Sequence, residues 1–415
     1  MKTLKLIGPI KQLLTLEGIP IKGAVSDQQL EVIEDAGILI QDEKILEVGD
    51  YKTLLKTNQE SRIKKIQFEK PMVALPSWID CHTHICFAGS RAKDFAMRNA
   101  GKSYLEIAQA GGGIWDTVQA TRAATIDQLK KLTASRVERH LRSGITTIEI
   151  KSGYGLMPSQ ELKMLSAIQM LKTPADLVPT CLAAHMKPKD FIGSKEVYLS
   201  DIQSKLFPML KSHHLSNRVD AFVEQSAFTP EEITPYLLAA KEQGFDITIH
   251  ADQFTTGGSE LAVKIGAKSA DHLEASGEKE IQSLANSDVV SVALPGASVG
   301  LGCDFTPARK ILDAGGALAI ASDWNPGSAP MGNLLAQASI LATFEKLSTA
   351  EVFAGLTFRA AAALGLSDRG ILAPGKLADF NLYAIEDYQE ILYQQGQLAP
   401  AQVWKKGELV KFKDT

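Results

Sequence analysis

The chain has 415 residues, 45% hydrophobic and 22% charged, with a net charge of −4 and a sequence pI near 6.1. That is enough for a large core with a smaller second unit, and the lack of basic bias argues against a nucleic-acid partner. No run approaches the ~18 apolar residues that cross a bilayer, so no membrane partner is expected. The N-terminus MKTLKLIGPIKQLLTLEG has neither the apolar core nor the small-residue cleavage site of a signal peptide. Four cysteines (Cys81, Cys86, Cys181, Cys303) form no C-x-x-C pair and are too few for a disulfide framework. A reduced, cytoplasmic protein is the expectation.

Residues 1–70 hold short apolar runs, Leu4–Ile7, Ala36–Ile40, Lys44–Val48 and Ile63–Phe68, separated by Gly, Asp and Asn. This is the pattern of small antiparallel β structure. The same style resumes after residue 370, over Ile371–Tyr383 and Pro400–Val410. Two β-rich ends predict one small β-sandwich domain built from 1–70 plus 371–415, with a larger domain, 71–370, inserted between them. That middle alternates. Strand-like runs fall at Val73–Leu75, Thr146–Ile150, Val178–Ala184, Val219–Val223, Ile247–Ile249, Ala270–Leu273, Val289–Leu294 and Ala317–Ala321. Helical patterns fill most gaps, as in Ile126–Leu141 with Leu129, Leu132, Val137 and Leu141 at helical spacing. Eight βα units predict an α/β fold, a TIM-type (β/α)8 barrel; no G-x-G-x-x-G follows a strand to favour a doubly wound sheet.

Chemistry in such a barrel gathers at the C-terminal strand ends. Strand one leads into Asp80-Cys81-His82-Thr83-His84, and side chains two apart on a strand share a face. The later ends carry Lys151, His185, Glu224, His250, His272 and Asp323. An isolated H-x-H is more often a pair that fills space. Here, though, five of the eight histidines stand at strand ends, leaving only His140, His213 and His214 elsewhere. His82, His84, His250 and Asp323 together suit Zn or Fe, with room for a water whose pKa the cation lowers. Asp323 is placed to move the water's proton, and His272 to polarise a carbonyl under attack. Cys81, a strand neighbour of His82, should face the opposite way and be structural.

With these residues the chain resembles the amidohydrolase superfamily, and most closely its imidazolonepropionase family. The selective segments are Phe87-Ala88-Gly89-Ser90-Arg91, Lys151-Ser152-Gly153-Tyr154-Gly155, His250-Ala251-Asp252-Gln253 and Ser322-Asp323-Trp324-Asn325-Pro326-Gly327-Ser328. The resemblance implies a small-molecule substrate, 4-imidazolone-5-propanoate, hydrolysed to N-formimidoyl-L-glutamate with one Zn or Fe ion per chain. A free propionate calls for a cation, and Arg91 is the candidate bidentate clamp. Tyr154 and Tyr104 are candidate hydroxyl donors to the same group. His185, Gln253, Asn325, Gly327 and Ser328 match substrate or product contacts of the family. Gln253 stands where some relatives carry a Glu, so this chain has no charged base there. A homodimer is compatible with the resemblance and left open by the sequence.

Competing signals are weaker. Gly296-Ala297-Ser298-Val299-Gly300 matches a nucleophile elbow, but no histidine follows His272, so Ser298 is expected in a loop. Gly111-Gly112-Gly113 lacks the Lys-Ser/Thr of a phosphate-binding loop and reads as a flexible loop near the pocket. Lys151 is similar to the metal-bridging lysine of some superfamily members but lies on strand two rather than four. Glu224 leaves a second metal open. The rival activities are deamination of a purine or pyrimidine, against which Arg91 argues, and a non-catalytic binding module, against which the complete ligand set argues.

Overall fold

The computed structural model describes residues 4–58, 63–102, 106–107 and 110–412. Strands β1 (Leu4–Leu14), β2 (Val32–Gln41), β3 (Lys44–Asp50), β4 (Ile63–Ile66) and β5 (Val73–Pro76) come from the first part of the chain. They join β14 (Phe380–Tyr383), β15 (Gln402–Lys405) and β16 (Glu408–Leu409) in a mixed sheet ordered β16-β15-β14-β5-β1-β2-β3, with β4 beside β1. One ladder runs through all of them, because the 11-residue β1 pairs with β2, β4 and β5 at different points along its length. Its apolar face packs Ile7, Ile38, Ala74, Phe380 and Trp404 into a small core of its own.

The second sheet is all parallel and follows chain order: β6 (Trp78–Asp80), β7 (Ile145–Lys151), β8 (Asp176–Ala184), β9 (Arg218–Val223), β10 (Asp246–Ala251), β11 (Ser269–His272), β12 (Val290–Ala293) and β13 (Ala317–Ile320). A bridge between Thr83 and Asp323 brings the first and last strands together, so the barrel is nearly closed. These strands are buried on both faces, as parallel strands covered by helices must be.

One strand was misplaced by its pattern. Val73–Leu75, expected as the first barrel strand, pairs with β1 and β14, so Val73–Pro76 runs in the mixed sheet instead. The barrel begins at Trp78. A central strand of either sheet is an apolar run, which is why the pattern does not distinguish them.

The helix Ile126–Arg142 shows how the coat forms. Thr125 caps it by accepting the Gln128 N–H while the Gln128 side chain returns to the Thr125 N–H. Arg139, His140 and Arg142 face the negative end of its dipole. Its buried stripe is Leu129, Thr133, Val137 and Leu141; Leu132, expected there, is among the exposed apolar residues. Ser298 lies not in a loop but in the short helix Pro295–Leu301. All four cysteines are free, and Cys81 is buried in an apolar cluster with Ile79, Val292 and Ala319.

Polar contacts hold the sheets together. Trp78 Nε1 donates to Tyr383 Oη at 2.9 Å, and the Gly144 carbonyl accepts both the Trp78 N–H (3.0 Å) and Asn381 Nδ2 (2.9 Å). Asp176, at the start of β8, pairs with Arg369 (2.6 Å), Lys405 (2.8 Å) and Lys406 (3.1 Å). Among the described residues no helix is long and apolar enough to cross a membrane.

Candidate metal centre

At the C-terminal mouth of the barrel the ring nitrogens of His82, His84 and His250 lie within 4.8 Å of one another. His84 Nε2 is 3.2 Å from both His82 Nε2 and His250 Nε2. Asp323 Oδ1 stands 3.4 Å from His84 Nε2 and 3.7 Å from His82 Nε2. The four side chains are almost wholly buried. Asp323 arrives in left-handed backbone, φ 58°, just past β13. Ser328 Oγ donates to Asp323 Oδ2 at 2.7 Å, whereas Oδ1, buried and aimed at the imidazoles, has no hydrogen-bond donor.

The far side of the imidazoles decides their tautomers. His82 Nδ1 is 2.7 Å from Asp271 Oδ2, and His250 Nδ1 is 2.9 Å from Asp220 Oδ2. Asp271 accepts from His82 Nδ1 and Asp220 lies close against His250 Nδ1, which favours the proton on Nδ1 and leaves Nε2 facing inward. Burial, reinforced at His82 by Lys151 and at His84 by His250, holds both imidazoles well below the usual histidine range. They are therefore neutral at pH 7. Burial also pushes the Asp323 carboxyl up, with His272 opposing. Three converging imidazole nitrogens and one unpartnered carboxylate oxygen fit a single divalent cation, and the triad could hold one.

Other expected residues surround this cage. The His272 ring centroid lies 5.4 Å from that of His250 and 6.0 Å from that of His82. Its Nδ1 is 3.3 Å from Glu274 Oε1; burial works against the imidazolium, but Glu274, together with Asp323 and Asp271, raises the pKa overall. His185 stacks on His84 with centroids 5.7 Å apart, its Nδ1 3.0 Å from the Gly153 carbonyl oxygen. Burial takes its pKa down to about 4. Tyr154, fully buried, sits 6.1 Å from His84 between ring centroids and hydrogen-bonds Asn325. Arg91 reaches Gly327, where an added Cβ would stand 3.3 Å from Nη1. Gln253 lies buried in the loop after β10. Tyr104 falls outside the described residues.

Several of these side chains have protein partners of their own. Asn325 Oδ1 accepts the Gly327 N–H at 2.8 Å and, with Ser328 on Asp323, stiffens its own loop. Glu224 is not free for a second ion: its carboxylate accepts the N–H groups of Phe254 (2.8 Å) and Thr255 (3.1 Å) and the Thr255 hydroxyl (2.6 Å). Lys151 bridges no metal position; it lies beneath the cage among carboxylates, 2.8 Å from Glu149 and 2.8 Å from Asp220. The Gly111–Gly113 loop wraps Asp94, which accepts the Gly113 N–H at 2.8 Å and pairs with Arg91 Nε.

Sequence reasoning missed Asp220, Asp271, Glu149, Glu274 and Asp94. A signal existed for four of them. Glu149, Asp220 and Asp271 are acidic residues inside barrel strands, and Glu274 stands two residues past one; charged residues are almost never fully buried without partners.

A family model described as the amidohydrolase family matches residues 95–411. The imidazolonepropionase of Bdellovibrio bacteriovorus is 40% identical over 410 residues, covering 98% of this chain and 96% of that one. That of Deinococcus deserti is 38% identical over 402 residues, covering 97% and 98%. Among solved structures, an adenosine deaminase from Xanthomonas campestris with bound zinc superposes with a TM-score of 0.71 at 17% identity, over 98% of this chain and 92% of that one. At that identity the likeness shows the fold alone. The chain belongs to the amidohydrolase family and, within it, to the imidazolonepropionases.

Proposed function

We propose that this protein hydrolyses the ring amide of 4-imidazolone-5-propanoate to N-formimidoyl-L-glutamate, a step of histidine degradation, with one Zn or Fe ion held by His82, His84, His250 and Asp323. The relatives that share its full length carry the corresponding name. The observation that carries the reading is the buried Asp323 oxygen without a donor, facing three inward imidazole nitrogens.

A divalent cation in that cage supplies Lewis acidity and lowers the pKa of a water toward neutrality. The protein's own residues do the rest. Asp323 takes the proton of the attacking water through Oδ1 and returns it to the ring nitrogen as the amide bond breaks, while Ser328 keeps Oδ2 fixed. His272, whose imidazolium form Glu274 favours, is placed to donate to the carbonyl oxygen as charge builds there. Arg91 and Tyr154 face the substrate from the adjoining wall and bind the propionate. Gln253, a neutral amide, orients the ring without moving a proton. Four unpaired cysteines fit a reducing compartment, and we read the protein as cytoplasmic.

The test is turnover of imidazolone propionate by purified protein beside incubation with guanine, cytosine and adenosine. Ring opening supports the reading. Ammonia release from a nucleobase or nucleoside, without ring opening, overturns it.

A further inference from the structure

Beneath the cage lies a group the proposed reaction does not use. Glu149 and Lys151 on β7, Asp220 on β9 and Asp271 on β11 are all at most 1% exposed. Lys151 Nζ is 2.8 Å from Glu149 Oε1, 2.8 Å from Asp220 Oδ2 and 3.9 Å from Asp271 Oδ2. The same two aspartate oxygens meet the rings above: Asp220 Oδ2 is 2.9 Å from His250 Nδ1, and Asp271 Oδ2 is 2.7 Å from His82 Nδ1. Thr248 Oγ1 adds a donor to Asp271 Oδ2 at 3.1 Å. One ammonium thus meets each oxygen that orients an imidazole.

The geometry points to Lys151 as a positioning residue for the metal centre, acting through Asp220 and Asp271. Two anionic side chains this close repel in a medium that screens them poorly, and each has rotamers that would turn it from its histidine. Lys151 is the shared cation between them, in close contact with Asp220 and at 3.9 Å from Asp271. From there they fix the Nδ1 protons and aim the Nε2 lone pairs of His82 and His250 at one centre. Its alternation with Glu149 is the strand's own: residues two apart on β7 face the barrel interior together, which puts the ammonium and its third carboxylate side by side. A fully buried lysine is unfavourable unless paired, and here the pairing is with the groups that orient the ligands.

The inference rests on the reading of the cage as a metal site, so its test begins with the wild-type protein and Zn(II) in chelator competition. Failure of the wild type to bind Zn(II) defeats that reading itself. Given wild-type binding, Lys151→Gln, which keeps an amide donor for the carboxylates, and Lys151→Met are expected to release Zn(II) at a chelator concentration at least about tenfold lower. Arg359→Met is the comparison. That guanidinium is equally buried but donates to the Pro20 (3.0 Å) and Gly23 (2.9 Å) carbonyls; its loss should lower the melting temperature and leave Zn(II) retention within about twofold. A cycle with Asp220→Asn adds the decisive readout: losses in Lys151→Gln and Asp220→Asn should be less than additive. Wild-type retention in Lys151→Gln, an equal loss in Arg359→Met, or full additivity in the cycle would overturn the role.

Discussion

Ser328 Oγ donates to one oxygen of Asp323 at 2.7 Å, and the other oxygen of that carboxylate faces the three imidazoles alone. That hydroxyl, expected at the substrate, donates to the proposed proton carrier. Ser328→Ala frees the carboxylate to rotate. A hydrogen bond to a charged group contributes about 1.5–3 kcal/mol, so kcat should fall roughly ten- to a hundredfold with KM little changed. Steady-state kinetics check it; a pure KM effect would return Ser328 to the substrate.

Asp323 and Gln253 should behave differently from each other. Asp323→Asn removes both a cage oxygen and the proton carrier and is expected to abolish turnover. Gln253→Ala should chiefly raise KM, by about tenfold, because a neutral amide only binds. Equal rate losses in the two variants would show that the proton carrier has been misassigned.

Arg91 and Asp94 form a pair in which the carboxylate takes Nε, and the same carboxylate holds the Gly113 N–H. Arg91→Met should raise KM for imidazolone propionate by about a hundredfold, the scale of a charge-assisted bidentate contact. An analogue lacking the propionate should bind wild type and variant alike. If the analogue also lost affinity in the variant, Arg91 would be packing rather than clamping.

Asp176 predicts an acid-sensitive seam. Burial opposes its ionisation, but Lys405 and Arg369 hold its carboxyl down at about 2, below its ordinary 3.8. A carboxyl whose folded pKa is lowered stabilises the fold above its unfolded pKa and loses that contribution as pH falls through the folded one. Allowing for its partial exposure, the gain is roughly 1–2 kcal/mol. Asp176→Asn should therefore melt lower than wild type at pH 7, and the gap should close between about pH 4 and 2. Melting curves across that range decide it.

Most of the barrel was legible because strand ends carry unusual residues. His82, His84, His250, His272 and Asp323 punctuate apolar runs, and one architecture brings such positions to one rim. The error at Val73–Pro76 arose because both sheets need an apolar central strand there. The groups that orient the cage were hidden for a different reason. Asp220 touches His250 from another strand, a pairing that depends on barrel register and not on any local spacing. Glu224 stands at a strand end and Ser328 in the loop after the last strand, yet loop N–H groups and Asp323 engage them, and no pattern along the chain announces such tertiary partners.

The most direct measurement is metal stoichiometry coupled to turnover on imidazolone propionate, before chelation, after it and on adding Zn or Fe back. One ion per chain is expected in wild type, with activity lost on chelation and restored on reloading, and with no ion retained in His82→Ala/His250→Ala. Activity that persists once the ion is gone, or an ion retained by that double variant, would contradict the account.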